Sequence, residues 1–144
     1  MNKKILVGIV IAVIILGYYL ISPVFNKIEI NESLPESSIM QEIVAEGSFT
    51  PATHEVSGKA ILISAQERNI LRFEDFKTIN GPDLHIYLST DLEATDYIDL
   101  GEIKGTKGNI NYDVPEGIDI EKYNKVLVWC EPFRVLFSSA ELKK

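Results

Sequence analysis

Sulfur is scarce in this chain, and what little there is sets the first limits. Cys130 is the only cysteine, so no disulfide can form within the molecule, and no C-x-x-C-H haem attachment exists. H-E-x-x-H, G-x-S-x-G and a phosphate-binding glycine loop are equally absent, and without them a hydrolase or a nucleotide enzyme has no constellation to work with. Basic residues are few as well. Setting Lys3 and Lys4 aside leaves twelve basic residues against twenty-one acidic ones, so the remainder carries about minus nine. Such a surface repels nucleic acid, which is excluded as a partner. After residue 25 there is also no long stretch of helical period with caps, apart from one turn near Ile120–Tyr123.

Apolar length is what the N-terminus has in excess. Ile5 to Ile21 runs without a charge and extends through Pro23, Val24 and Phe25 to the ~20 residues that a bilayer core requires. Lys3 and Lys4 precede it, and Glu29, Glu32 and Glu36 follow, which predicts a cytoplasmic N-terminus and an exported remainder. A cleaved signal peptide is the rival. The run exceeds the ~7 to 15 residues of a signal core, and no small-residue cleavage site follows, so an uncleaved anchor is the expectation. The 144 residues then divide into a tail (1–4), a transmembrane helix (5–25), a stalk (26–41) and one extracytoplasmic domain (42–144), placing the protein in the cell membrane as a single-pass chain. Asn31-Glu32-Ser33 in the stalk has the form of a glycosylation acceptor, a pattern that often arises by chance.

Beyond residue 42, short apolar runs alternate with turn residues. Gly47–Phe49 reads as a brief edge-like piece, and Val56–Ala65, Ile70–Phe73, Leu84–Leu88, Ile98–Ile103 and Asn109–Val114 as strands. Leu84, Ile86 and Leu88 make an apolar face, with His85 and Tyr87 on a polar one. Asn80-Gly81-Pro82-Asp83 is a strong turn signal just before it, because glycine tolerates positive φ and proline fixes its own. Val126–Phe137 is apolar on both faces around Trp129 and Cys130, and Pro132 interrupts it as a bulge or bend before Phe133, Val135 and Phe137 resume. The expected fold is all-β, an antiparallel sandwich or barrel-like domain.

The side chains able to carry redox or metal chemistry are Cys130, His54, His85, Met1 and Met40. A lone cysteine in an apolar strand is ordinarily a small buried hydrophobe. In an oxidising exterior a free thiol is unusual, so Cys130 is also read as a ligand to haem iron or copper, or as a redox thiol. His54 is the next candidate, ahead of His85, whose default place is the surface. Trp129 is first a packing residue, with an electron relay as its secondary reading. Asp83 alone falls far short of the ~6 oxygens that calcium seeks, so a turn role is expected of it.

These residues are similar to a known family. Gly47-x-Phe49, His54-x-x-Ser57-Gly58-x-Ala60, Asn80-Gly81-Pro82-Asp83-Leu84-x-x-Tyr87-Leu88, Gly108-x-x-x-Tyr112-x-x-Pro115 and Val128-Trp129-Cys130-x-x-Phe133-x-Val135-x-Phe137 together resemble the DM-thirteen domain over roughly residues 43–142. The resemblance implies a β-sandwich-like domain and a proposed role in extracytoplasmic electron transfer, acting through the cysteine that Cys130 matches, either as a free thiol or by holding a prosthetic group. It implies a redox protein as partner, since no cytochrome segment lies in the chain. The alternative expectation is a cell-surface binding or adhesion domain in which Cys130 is a buried structural residue.

Overall fold

A computed structural model describes residues 2–25, 27–34, 41–65 and 68–144. Met1, Met40 and residues 26 and 35–40 of the expected stalk lie outside the described residues. The elements are α1 (Lys3–Phe25), β1 (Glu29–Asn31), β2 (Gln41–Pro51), β3 (Val56–Ala65), β4 (Arg68–Thr78), β5 (Leu84–Ser89), β6 (Tyr97–Glu102), β7 (Lys107–Val114), β8 (Lys125–Cys130) and β9 (Val135–Glu141).

The N-terminal run forms a helix, as its composition expects. Among the described residues, however, no helix is long and apolar enough to cross a membrane. The expected transmembrane helix is thus a helix, without a membrane span among the described residues.

Among the described residues all nine strands belong to one sheet, in the order β1-β7-β4-β3-β2-β9-β8-β5-β6. Every pairing is antiparallel except that of β1 with β7. The sheet curls because β2 serves two partners in succession. Gln41–Ser48 pairs with β3, whereas Phe49–Pro51 pairs with Ser138–Ala140 of β9. At the change of partner stands Gly47, where a Cβ would overlap the Glu141 carbonyl oxygen. Glycine permits the close backbone approach that this corner needs. The expected brief edge piece at Gly47–Phe49 is thus the middle of a central strand. Glu42 and Glu46 stay exposed while Ala45 and Phe49 are buried, and this broken alternation hides the strand's length in the sequence.

The curl encloses one core. Ala60, Leu62, Leu71, Phe73, Ile110 and Tyr112 face it from one half, and Ile86, Leu88, Val126, Val128, Cys130 and Ala140 from the other. Phe49 joins the halves, with its ring centroid 4.9 Å from Phe73 and 5.0 Å from Phe76. Aromatic pairs at such spacings add ~0.5–1.5 kcal/mol beyond the area they bury.

Within the expected stalk, Glu29–Asn31 adds a parallel strand to the edge of β7. Thr106 holds its entry, accepting from the Ile28 N–H at 3.0 Å while the Thr106 N–H donates to the Ile28 carbonyl at 2.8 Å. The buried Arg72 guanidinium donates to the Glu32 carbonyl at 3.0 Å and to Asn111 Oδ1 at 2.8 Å, securing its exit.

The apolar stretch around Pro132 is not one bent strand. Glu131–Arg134 is a full reversal, with the Arg134 N–H donating to the Glu131 carbonyl at 3.2 Å and Arg134 at φ 51°. β8 and β9 therefore lie side by side as a hairpin, with Cys130 opposite Val135. Proline lacks the N–H that a ladder would use, so the turn is where it costs least.

Gly47→Ala is expected to lower stability by about 2–4 kcal/mol, because backbone rather than a flexible side chain opposes the new methyl. Thermal unfolding of the domain's β signal by circular dichroism checks this, and a melting temperature equal to the parent's would show that the corner tolerates a side chain.

Candidate functional site

The Asn80–Asp83 turn delivers β5 to the centre of its half of the sheet. The Gly81 N–H donates to Asn80 Oδ1 at 3.0 Å, closing the turn locally. The left-handed residue is Asp83, at φ 53°, and not Gly81 as the turn signal suggested. Glycine is needed at 81 for room, since a Cβ there would come within 2.8 Å of the Phe137 ring. The turn is tied to the end of β8, where the Glu131 N–H donates to the Asp83 carbonyl at 3.1 Å.

Cys130 lies beneath this turn, paired with Leu84 on one side and Val135 on the other, and it is 0% exposed. Its S–H donates to the Pro82 carbonyl at 3.2 Å. Burial pushes the thiol pKa above its ordinary value; the Asp83 carboxylate adds to this, and a hydrogen bond from the Phe133 backbone partly offsets it. The site therefore favours the neutral thiol over the thiolate.

His54 reaches the same end of the sheet from the β2–β3 loop. Its N–H donates to the Phe137 carbonyl at 3.2 Å, and its ring sits 4.1 Å from the Phe137 ring. The Thr53 hydroxyl donates to the Leu136 carbonyl at 2.8 Å, fixing the loop. A depression of about 270 Å³ opens here, lined by His54, the 79–82 segment, Phe133, Val135 and Phe137, and its wall is almost wholly apolar. Cys130 is not in the lining, but Pro82, Phe133 and Val135, which surround it, are. Two other depressions, at Glu55–Ser57 and beside β1, are more polar and contain neither Cys130 nor a histidine.

Haem iron or copper would need a thiolate or an imidazole turned into this depression. The Cys130 sulfur instead bonds Pro82 as a protonated thiol, and the His54 ring packs on Phe137. As arranged, these two residues do not form a ligand pair.

His85 and Trp129 lie on the opposite face of the sheet from Cys130. Trp129 packs with Tyr87 and Leu127 in a separate outer cluster. Tyr87 lies 6.3 Å from Trp129 and stacks on Tyr97 at 4.1 Å, ring centre to ring centre. The outer face of β5 is thus partly apolar, because the segment between β5 and β6 covers it. His85 is half-buried there, with Nδ1 2.9 Å from Asp99 Oδ2 and Nε2 3.2 Å from Asp83 Oδ1. Burial of the ring opposes protonation, but Asp99 and Asp83 outweigh it and raise the His85 pKa above its ordinary value. The sequence did not single out Asp99 or Glu102. They meet His85 only through the β5–β6 pairing, and their one local trace is Gly101 between them, which marks a bulge.

A family model described as Electron transfer DM13 matches residues 48–142. No curated protein and no solved structure matches the chain.

The sealed thiol sets a pH dependence. A folded pKa above the unfolded value of ~8.5 leaves the Cys130 contribution to stability complete below that pH and removes it progressively as pH rises further. Cys130→Ala should flatten that part of the alkaline stability curve measured by urea unfolding. At pH 8 the native thiol should also react with an aromatic disulfide reagent roughly a hundredfold more slowly than in urea, since access requires local opening.

Proposed function

Because the chain belongs to the electron transfer DM13 family, we propose that it is a single-pass membrane protein holding its electron-transfer domain outside the cytoplasm, with Cys130 as the redox-linked group. The observation carrying the assignment of Cys130 is its position: the chain's one thiol lies directly behind the Pro82 and Phe133 wall of the apolar depression. Access to the sulfur then runs through that wall, when the docking of a redox protein displaces the Asn80–Asp83 turn. Phe133 is 69% exposed at the rim and supplies an apolar contact for such a partner. His54, on the far side of the depression, is the second residue assigned to the site.

The membrane assignment is supported by α1. Its apolar side chains from Ile5 to Leu16 are exposed in every direction around the helix. A helix that is apolar all round is stable only inside a protein core or a bilayer. Membranes from cells expressing the full chain should retain it through an alkaline carbonate wash, and release into the wash would overturn the anchor.

The enclosure of Cys130 favours a second reading, a cell-surface binding or adhesion domain in which the cysteine is structural. The two separate on one preparation. Full-length protein purified in detergent should show a thiol that cycles between oxidised and reduced forms when a chemical oxidant and reductant are supplied in turn, and Cys130→Ser should abolish the cycle. A protein whose thiol reacts only after unfolding would leave the binding domain as the function.

A further inference from the structure

The turn residue Asp83 has too few oxygens to hold a cation alone, and the fold supplies the missing donors. Asp83, His85 and Glu102 bring one ligand atom each to positions within 4.8 Å of one another. Three donors bound at ~2.1 Å in a tetrahedral shell lie roughly 3.4 Å apart, a closure within reach of side-chain rotation alone.

Two devices in the backbone make this convergence. Asp83 at φ 53° is the last residue before β5, two positions from His85. On β6, Glu102 pairs with His85 and Asp99 with Tyr87, so the four residues 99–102 of β6 lie against the three residues 85–87 of β5. Such bulges redirect side chains, and this one sets Asp99 against the ring that Glu102 faces.

The ring is oriented for the purpose. Asp99 takes Nδ1 at 2.9 Å, which leaves Nε2 directed to the Asp83 side, where its present contact is Oδ1 at 3.2 Å. A carboxylate behind the imidazole is the recurring arrangement at zinc-bound histidines, where it fixes the ring and raises its basicity. The charge is also unbalanced. Among the described residues no lysine or arginine bridges Asp83, Asp99 or Glu102, whereas Glu29, Glu74, Asp96, Glu121 and Glu141 each have a lysine partner. Three carboxylates thus face at most one positive imidazole.

We propose that Asp83, His85 and Glu102 bind a divalent transition-metal ion of the zinc type, through His85 Nε2 and one oxygen of each carboxylate, with Asp99 as the positioning residue. One nitrogen and two oxygens suit Zn²⁺ better than Ca²⁺, which prefers more ligands and oxygen alone. The three donors approach from the sheet, and Asp83 and Asp99 are about half exposed, so the outer coordination positions face water. The site lies on the opposite face from Cys130, and it stands whatever that sulfur does.

The test uses the untagged full chain in detergent, stripped with EDTA, and titrated with Zn²⁺ by calorimetry and with Ca²⁺ as comparison. One Zn²⁺ per chain should bind, well ahead of Ca²⁺. His85→Gln should weaken Zn²⁺ at least tenfold and Asp99→Asn by roughly tenfold, in the range for lost ligand support. Glu116→Gln, an exposed carboxylate in a remote turn, should leave it unchanged. Loading the parent chain with Cu²⁺ gives a readout free of folding effects, since its paramagnetic resonance should show coupling to a single imidazole. No saturable Zn²⁺ binding, equal binding by His85→Gln, or a Cu²⁺ spectrum without imidazole nitrogen would each overturn the site.

Discussion

The structure depends on one strand having two partners. β2 leaves β3 and takes up β9 at Gly47, and only there does a single nine-stranded sheet become two facing halves. Without that change of partner the apolar faces of β4 and β8 would have nothing to cover them. Phe49, two residues on, is placed by the same corner to touch Phe73 and Phe76 across the interior. The cost of the corner is backbone crowding, which glycine alone relieves without a strained side chain.

Cys130 inherits its environment from this closure. It lies on the inward face of β8, so it shares the hydrophobic interior, yet it is the last residue of its strand and meets a backbone carbonyl there. The same position that protects the sulfur from solvent also brings it to the end of the sheet where the apolar depression opens. Burial holds the thiol neutral, and protection and reactivity are here set against one another by a single turn of four residues.

Much of this was legible in the sequence. Strand alternation gave β3, β5, β6, β7 and β8 close to their observed places, and the reading of the Trp129–Cys130 stretch as apolar on both faces agrees with Cys130 in the core and Trp129 in the outer cluster. The resemblance drawn from Asn80–Leu84 and Trp129–Phe133 agrees with the matched family. The errors have physical causes. β2 alternates irregularly because it serves two partners, and Pro132 looks the same in sequence whether a strand bends or reverses. β1 is three residues long and is held by Thr106 and Arg72 from distant parts of the chain, so no local pattern announces it. The carboxylates around His85 were hidden for the same reason, since a cross-strand pairing and a bulge bring them together.

The two ends of the sheet are finished differently. β1 occupies the open side of β7, whereas β6 ends the other half with its outward backbone unpaired among the described residues. Its bulge breaks the regular spacing of donors and acceptors, and Asp99 and Glu102 bring negative charge to the same short strand. A strand from a neighbouring molecule would have to match the irregular spacing and approach those carboxylates. The β6 edge is thereby a poor template for a strand from another molecule.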